Sequence, residues 1–301
     1  MLKIAYHPAY VHPVPDNHRF PMAKYELIPA QLMHEGLATK ENFFEPLLAD
    51  RATLCLAHDS EYVDHLLHLT LDAKMIRRIG FALSQSLIIR ERLLVDGTIK
   101  ACHYAQQYGV AFNAAGGTHH AGRDFGEGFC LLNDQAVAAA YLLHQKLANR
   151  ILIVDLDVHQ GNGTAHIFRD HRDIFTFSMH GEKNYPFVKE QSHHDVGLND
   201  GIGDADYLTQ LLNTLKPVFE KVKPDFVFYQ AGVDVLATDK LGKLGLTAEG
   251  CRQRDEIVFD LCRKFQAPVQ VSMGGGYSEV LRHIVDAHVS TYRTAIDLYN
   301  L

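Results

Sequence analysis

Asp155, Asp157 and His159 stand at alternating positions, so on an extended segment their three side chains share one face. A carboxylate and an imidazole two residues apart can grip one small cation, and a third ligand must then come from elsewhere in the chain. Asp234, at the end of the run Ala231-Gly232-Val233-Asp234, is the best candidate. Three protein ligands with a fourth position open is the way zinc is held for catalysis, with bonds of roughly 2.0–2.2 Å. A plain turn-forming role for Asp155 and Asp157 competes with this reading. It is the weaker one, because carboxylates clustered at a buried strand end are costly unless a cation joins them. Two further segments favour chemistry: the Gly-rich loop that carries His119 and His120, and the run Gly274-Gly275-Gly276-Tyr277. The other histidine pair, His193-His194, lies in a polar stretch with no apolar run before it and reads as solvated.

Each of these segments follows a short β-rich run. The runs 2–6, 110–113, 151–155, 174–178, 226–230 and 269–272 are apolar at consecutive positions, as strands buried on both faces are. Helical patterns at 136–147, 205–219 and 248–265 separate several of them. That rhythm predicts an α/β chain, a mostly parallel sheet with helices on both faces, in one domain spanning 1–301. Sites in such sheets form outside the carboxyl ends of the strands, where the polar Gly-rich segments fall.

Bulk composition narrows the partners. A formal charge of -7 argues against a nucleic-acid binder. No apolar run reaches the roughly 18 residues needed to span a bilayer, so no membrane partner is expected. Five cysteines without a C-x-x-C pair, after an N-terminus without a signal pattern, point to a reducing cytoplasmic setting. Cys130 has no activating base spaced for it and reads as a packed small apolar residue.

Five motifs in order, Gly-Gly-Thr-His-His-Ala (116–121), Gly-Phe-Cys-Leu-Leu-Asn-Asp (128–134), Val-Asp-Leu-Asp-Val-His-Gln-Gly-Asn-Gly (154–163), Ala-Gly-Val-Asp (231–234) and Gly-Gly-Gly-Tyr (274–277), resemble the histone deacetylase family. Gln160, Asn162, the segment 18–22 and the segment 239–244 resemble its class IV branch and bacterial relatives. The resemblance implies a three-layer arginase/deacetylase-type fold and zinc-dependent hydrolysis of acyl-lysine or a similar acylated amine. It implies Asp157, His159 and Asp234 as zinc ligands, His119 and His120 as paired imidazoles, and Tyr277 as the phenol that meets the carbonyl oxygen. His120 is expected to move the proton, with His119 oriented by Asp155. The family's usual carboxylate beside the second histidine falls on Asn162, which predicts a lower pKa for His120 than a carboxylate would give.

By the same resemblance Gly128 and Phe129 line a substrate tunnel, with Tyr185, Leu241 and Gly275 as further contacts. A monovalent cation, K+ in the family, maps to Asp155, Ser178 and the backbone of Met179. Fe2+ or Co2+ fits the same N/O ligands as Zn2+. The rim aspartate of several relatives is replaced here by the segment 78–81, which weakens the expectation of peptide-backbone recognition. Three other readings compete: an acylpolyamine or other small-molecule amidohydrolase, a two-metal arginase-like enzyme, and a catalytically silent binding module. The two-metal reading needs an aspartate just after His159, where Gln160 and Gly161 stand. Acyl length and oligomeric state stay open.

Overall fold

The computed structural model describes residues 1–16 and 18–301. Eight strands form one sheet: β1 (Ile4–Ala5), β2 (Phe43–Phe44), β3 (Val110–Asn113), β4 (Ile151–Asp155), β5 (Ile174–Gly181), β6 (His194–Leu198), β7 (Phe226–Gln230) and β8 (Val269–Ser272). Their order is β2-β1-β3-β8-β7-β4-β5-β6 and every pairing is parallel. Alternate residues of each central strand feed two cores. Leu152 and Val154 of β4, with Val227 and Tyr229 of β7, pack on one face; Ile151, Ile153, Phe226 and Phe228 pack on the other. Burial on both faces explains why these strands read as continuous apolar runs.

The predicted strands at 110–113, 151–155, 226–230 and 269–272 have the observed bounds. The run at 2–6 shortens to β1, and the run at 174–178 extends to Gly181. Two edge strands escaped the pattern. β2 has only two residues, and β6 alternates half-buried with exposed positions. The solvated reading of His193-His194 is therefore corrected: His194 opens β6 and stacks on Phe177, while His193 Nδ1 accepts the Thr176 N–H at 3.2 Å.

Helices cover both faces. The helix Asp134–His144 starts where the Asn133 side chain accepts the Ala136 N–H at 3.0 Å, and an alanine run carries it on. Such a cap stabilises by about 1 kcal/mol. Thr247 does the same for the helix Ala248–Lys264. The longest helix, Gln85–Tyr108, was not anticipated from the sequence pattern; buried and polar residues alternate irregularly along it.

Pairing register lines up the strand ends. Asn113, Ser272, Gln230, Asp155 and Ser178 occupy one row across β3, β8, β7, β4 and β5, all buried. A buried polar row demands partners, and the loops beyond the strands supply them. Gln230 Nε2 donates to Gly117 O at 2.8 Å, and Ser272 Oγ to Asp134 Oδ2 at 3.1 Å. Asp134 Oδ1 in turn accepts the N–H groups of Gly117 and Thr118 at 2.8 and 2.9 Å, which fixes the loop leading into His119.

Arg254, fully buried, does the equivalent job on the other side. Its Nη1 donates to Gly232 O at 2.5 Å and Leu156 O at 3.3 Å, the loops that carry Asp234 and Asp157. Asp255 neutralises it and also accepts from Tyr229 Oη at 2.5 Å and Thr291 Oγ1 at 2.7 Å. Arg254→Met leaves Asp255 as an unpaired buried charge, which costs about 3–5 kcal/mol. Urea unfolding of the metal-free protein is expected to show a loss of that size; a loss below about 1 kcal/mol would remove the clamp from this account.

Candidate active site

The three predicted ligands converge. His159 Nδ1 lies 3.1 Å from Asp157 Oδ1 and 3.1 Å from Asp234 Oδ2, and all three residues are buried. Among the described residues they are the one group of three His, Cys, Asp or Glu side chains so placed. Ligand atoms of one tetrahedral ion with bonds of about 2.0–2.1 Å sit about 3.3 Å apart, so the set fits a single zinc-sized cation. The outer carboxylate oxygens are already held by backbone: Asp157 Oδ2 by Gly275 N–H at 2.8 Å, Asp234 Oδ1 by Val158 N–H at 2.9 Å. Glycine is required at 275, because a Cβ there would collide with both carboxylates.

Protonation shows the same demand for positive charge. Burial opposes a charged imidazole at His159, but hydrogen bonds to Asp157 and Asp234 outweigh it and push its pKa up to about 10. Burial, and then the neighbouring Asp157 charge, push Asp234 up to about 7. Lys24 stands nearby, fully buried, with Nζ donating to Gly274 O at 2.7 Å. Burial draws its pKa down to about 8 against the pull of Asp234, Asp157 and Asp239.

Asp155, Asp157 and His159 depart from the shared face that their alternation predicts. β4 ends at Asp155 and the chain then bends, so Asp155, Asp157 and His159 do not share a strand face. Asp155 turns instead to His119 Nδ1 at 2.7 Å, as its predicted orienting role requires. Burial opposes charge on His119 too, but Asp155 and Asp157 outweigh it and push its pKa up to about 9.

His120 is held differently. Its Nδ1 meets Asn162 Oδ1 at 2.6 Å, and Asn162 Nδ2 donates to the buried Glu127 carboxylate. A carboxylate paired with an arginine only accepts, so Asn162 must turn its amide N–H₂ to Glu127 and its oxygen to His120. Nδ1 of His120 is then the protonated nitrogen, and Nε2 keeps a lone pair for the cavity. Arg78 Nε donates to Glu127 and completes the chain. Burial, followed by the charges on His119 and His159, holds His120 well below the usual histidine range.

A cavity of about 390 Å³ leads from the surface to His120, His159 and Tyr277. Gly128, Phe129, Tyr185 and Leu241 line it as expected, whereas Gly275 lines the small chamber beneath it. Gly128 has φ +57, and a Cβ there would lie 2.7 Å from His120 Cδ2. Phe129, also in the left-handed region at φ +69, belongs to a collar of rings: Phe20 at 5.3 Å, Phe81 at 5.4 Å and Tyr277 at 6.3 Å. Arg78 O and Ile79 O anchor this wall by accepting the N–H groups of Gly128 and Phe129. Tyr277 is positioned by Asp239, which accepts its N–H at 2.6 Å; burial keeps the phenol protonated. Cys130 is packed, and burial pushes its thiol well up.

Asp155 pairs in register with Ser178, beside Met179. Ser178 Oγ lies 2.9 Å from His180 Nδ1. Gln160 turns away from the ligands, with Nε2 donating to Glu190 O at 2.7 Å and Asp195 Oδ1 at 2.8 Å. It ties the site to β6, so no second-metal ligand stands there. Glu127, Arg78, Lys24, Asp239 and Arg254 were missed as supports. Each acts on a residue far away in sequence, and only the pairing of topology with burial reveals it.

The histone deacetylase domain family matches residues 18–292. An uncharacterized protein of Picosynechococcus sp. is 45% identical over 296 residues, covering 98% of this chain and 99% of that one. Histone deacetylase 2 of Arabidopsis thaliana is 28% identical over 277 residues, covering 89% of this chain and 72% of its own length. The crystal structure of an HDAC homolog complexed with SAHA superposes with a TM-score of 0.83 at 24% identity, over 99% of this chain and 84% of that one, which shows a shared fold.

Asp234 and His159 bind their protons more tightly in the folded chain than in the unfolded one. The stability this confers is present in acid and lost as pH rises, through about 7 for Asp234 and about 10 for His159. A dication replaces those protons. Zinc is therefore expected to raise Tm by more at pH 8 than at pH 5, and to release protons in calorimetric titrations. Asp234→Asn is expected to abolish both effects; an equal Tm gain in that variant would count against this ligand set.

Proposed function

Given that this chain belongs to the histone deacetylase family and has its three-layer arginase/deacetylase-type fold, we propose that it is a zinc-dependent deacylase that hydrolyses acyl-lysine or a similar acylated amine. The observation that carries the reading is His120, held at Nδ1 by Asn162 and Glu127, lining the same cavity as Tyr277 and His159 of the Asp157–His159–Asp234 set.

An amide has a weakly electrophilic carbon and a poor leaving group, so both need help. Asp157, His159 and Asp234 would hold a zinc ion, whose Lewis acidity would polarise the carbonyl and acidify water. Tyr277, neutral at working pH, donates its Oη hydrogen to the carbonyl oxygen as negative charge grows there. His120 Nε2 takes the proton from the attacking water and then returns one to the departing amine nitrogen. His119 stays oriented by Asp155 and shapes the field around its neighbour. Phe129, Tyr185 and Tyr277, which line the cavity, exclude bulk water and fit the alkyl stem of the substrate. The neighbourhood of Asp155, Ser178 and Met179 is where a structural monovalent cation belongs in this reading.

Peptides carrying acetyl- to myristoyl-lysine, and acetylated polyamines, assayed on metal-free protein with defined metals restored, test the reading. Turnover is expected with zinc and no turnover of any acylated amine would sink it. Tyr277→Phe is expected to lower kcat by about 10²–10³ with little change in KM.

Asn162 carries no charge, so His120 titrates without a carboxylate of its own. Asn162→Asp alone would set two carboxylates side by side, at 162 and 127, one of which would hold a proton. In the double variant Asn162→Asp, Glu127→Gln the charge passes to the residue touching His120, whose pKa then rises. The base must be neutral to act, so the acid limb of kcat/KM is expected to move up by about one pH unit or more. An acid limb that stays in place would remove His120 as the base.

A further inference from the structure

The mouth of the cavity is ringed by cations on four separate segments: Arg19, Arg77, Lys183 and Lys243. All four are exposed. Arg78 stands among them but is neutralised by Glu127. Among the described residues the other four make no ion pair, and no Asp or Glu lines this cavity. Lys243 Nζ donates to the Lys183 carbonyl oxygen at 3.4 Å, so these two lysines stand on the same side of the opening.

Such a ring is not an echo of composition, since the chain carries 36 acidic against 29 basic side chains. An acidic protein has gathered unpaired positive charge around an opening that leads to its reactive groups. Like charges held together repel, and a bound anion relieves that repulsion. Phe187, 84% exposed, stands at the same rim and offers an apolar surface beside the charges.

We propose that the substrate is an acylated amine that carries negative charge, carboxylate or phosphate, next to the acylated nitrogen. The acyl-amine stem enters between Phe129, Tyr185 and Tyr277 while the anionic part meets Arg19, Arg77, Lys183 and Lys243. A lysine-rich tail or a polyamine is repelled by the same ring. The proposal rests on the deacylase reading above and narrows its substrate class.

The ring acts on binding before any chemistry, so binding is measured on the metal-free protein. Labelled acetyl-lysine peptides of equal length, flanked by Glu, Gln or Lys, are compared by fluorescence anisotropy at low and high salt. Nε-acetyl-lysine with a free or an amidated carboxyl group, used as competitor, separates a small anionic ligand from an acidic peptide. Glu-flanked peptides are expected to bind about tenfold tighter than Gln-flanked ones and Lys-flanked ones more weakly. Half-molar salt is expected to erase the difference. The quadruple variant Arg19→Gln, Arg77→Gln, Lys183→Gln, Lys243→Gln changes only exposed side chains and is expected to lose the preference while hydrolysing the Gln-flanked peptide with zinc as the parent does. Equal affinity for the three peptides, or the same preference in the quadruple variant, overturns the proposal. With the parent hydrolysing all three peptides equally, the deacylase reading stands and the charge selection falls. Hydrolysis of none of them by the zinc-loaded parent overturns that reading, and this proposal with it.

Discussion

Two buried carboxylates, Asp157 and Asp234, aim oxygen atoms at the same point beside His159 Nδ1. In a low-dielectric interior that arrangement repels itself unless a proton or a cation stands between the groups. Much of the surrounding structure keeps them there. Backbone N–H groups of Gly275 and Val158 hold the outer oxygens, and the absent Cβ of Gly275 leaves the room. Arg254 ties together the loops that carry the two ligands, and Lys24 adds a buried positive charge nearby. A site held this rigidly puts its electrostatic cost into the fold, where a cation that bound there would recover it as affinity.

The histidine pair obeys a second constraint, propagated through a single amide. Glu127 can only accept, and so it sets which way Asn162 faces; Asn162 then sets which nitrogen of His120 carries hydrogen. The direct pairing of His119 with Asp155 works differently, by charge. The two adjacent imidazoles therefore have opposite tendencies: one is drawn toward the cation, the other is held neutral. Environments that push neighbouring titratable groups apart are how acid and base roles become assigned on one scaffold.

What could be read from the sequence was whatever a local pattern encodes. Strands buried on both faces are apolar runs, and β4, β7 and β8 were legible to the residue. Gly-flanked polar residues after those strands located Asp157, His159, Asp234 and the histidine pair. The edge strands β2 and β6 lacked the pattern because one is short and the other half-exposed. Supports such as Glu127, Lys24 and Arg254 were invisible for another reason. A lone Glu, Lys or Arg usually marks a solvated surface, and only the register of the sheet, with the loops beyond it, turns these three inward. Of the tunnel, the walls at Gly128 and Phe129 followed from motif resemblance, but the ring at its mouth comes from four segments that share no motif.

Charge in this molecule consequently acts at two depths. Inside, Asp157, Asp234 and Glu127 are desolvated and fixed, so each unit of charge is strongly felt and must be met by a particular partner. At the rim Arg19, Arg77, Lys183 and Lys243 are exposed to solvent, and a Debye length of about 8 Å in physiological salt limits their reach. Rim charges can favour or disfavour what arrives at the cavity, because they stand where it opens to solvent. The interior set cannot be retuned without rebuilding the loops that hold it. An enzyme of this design changes substrate class most readily at the mouth, leaving the proposed metal ligands and proton relay untouched.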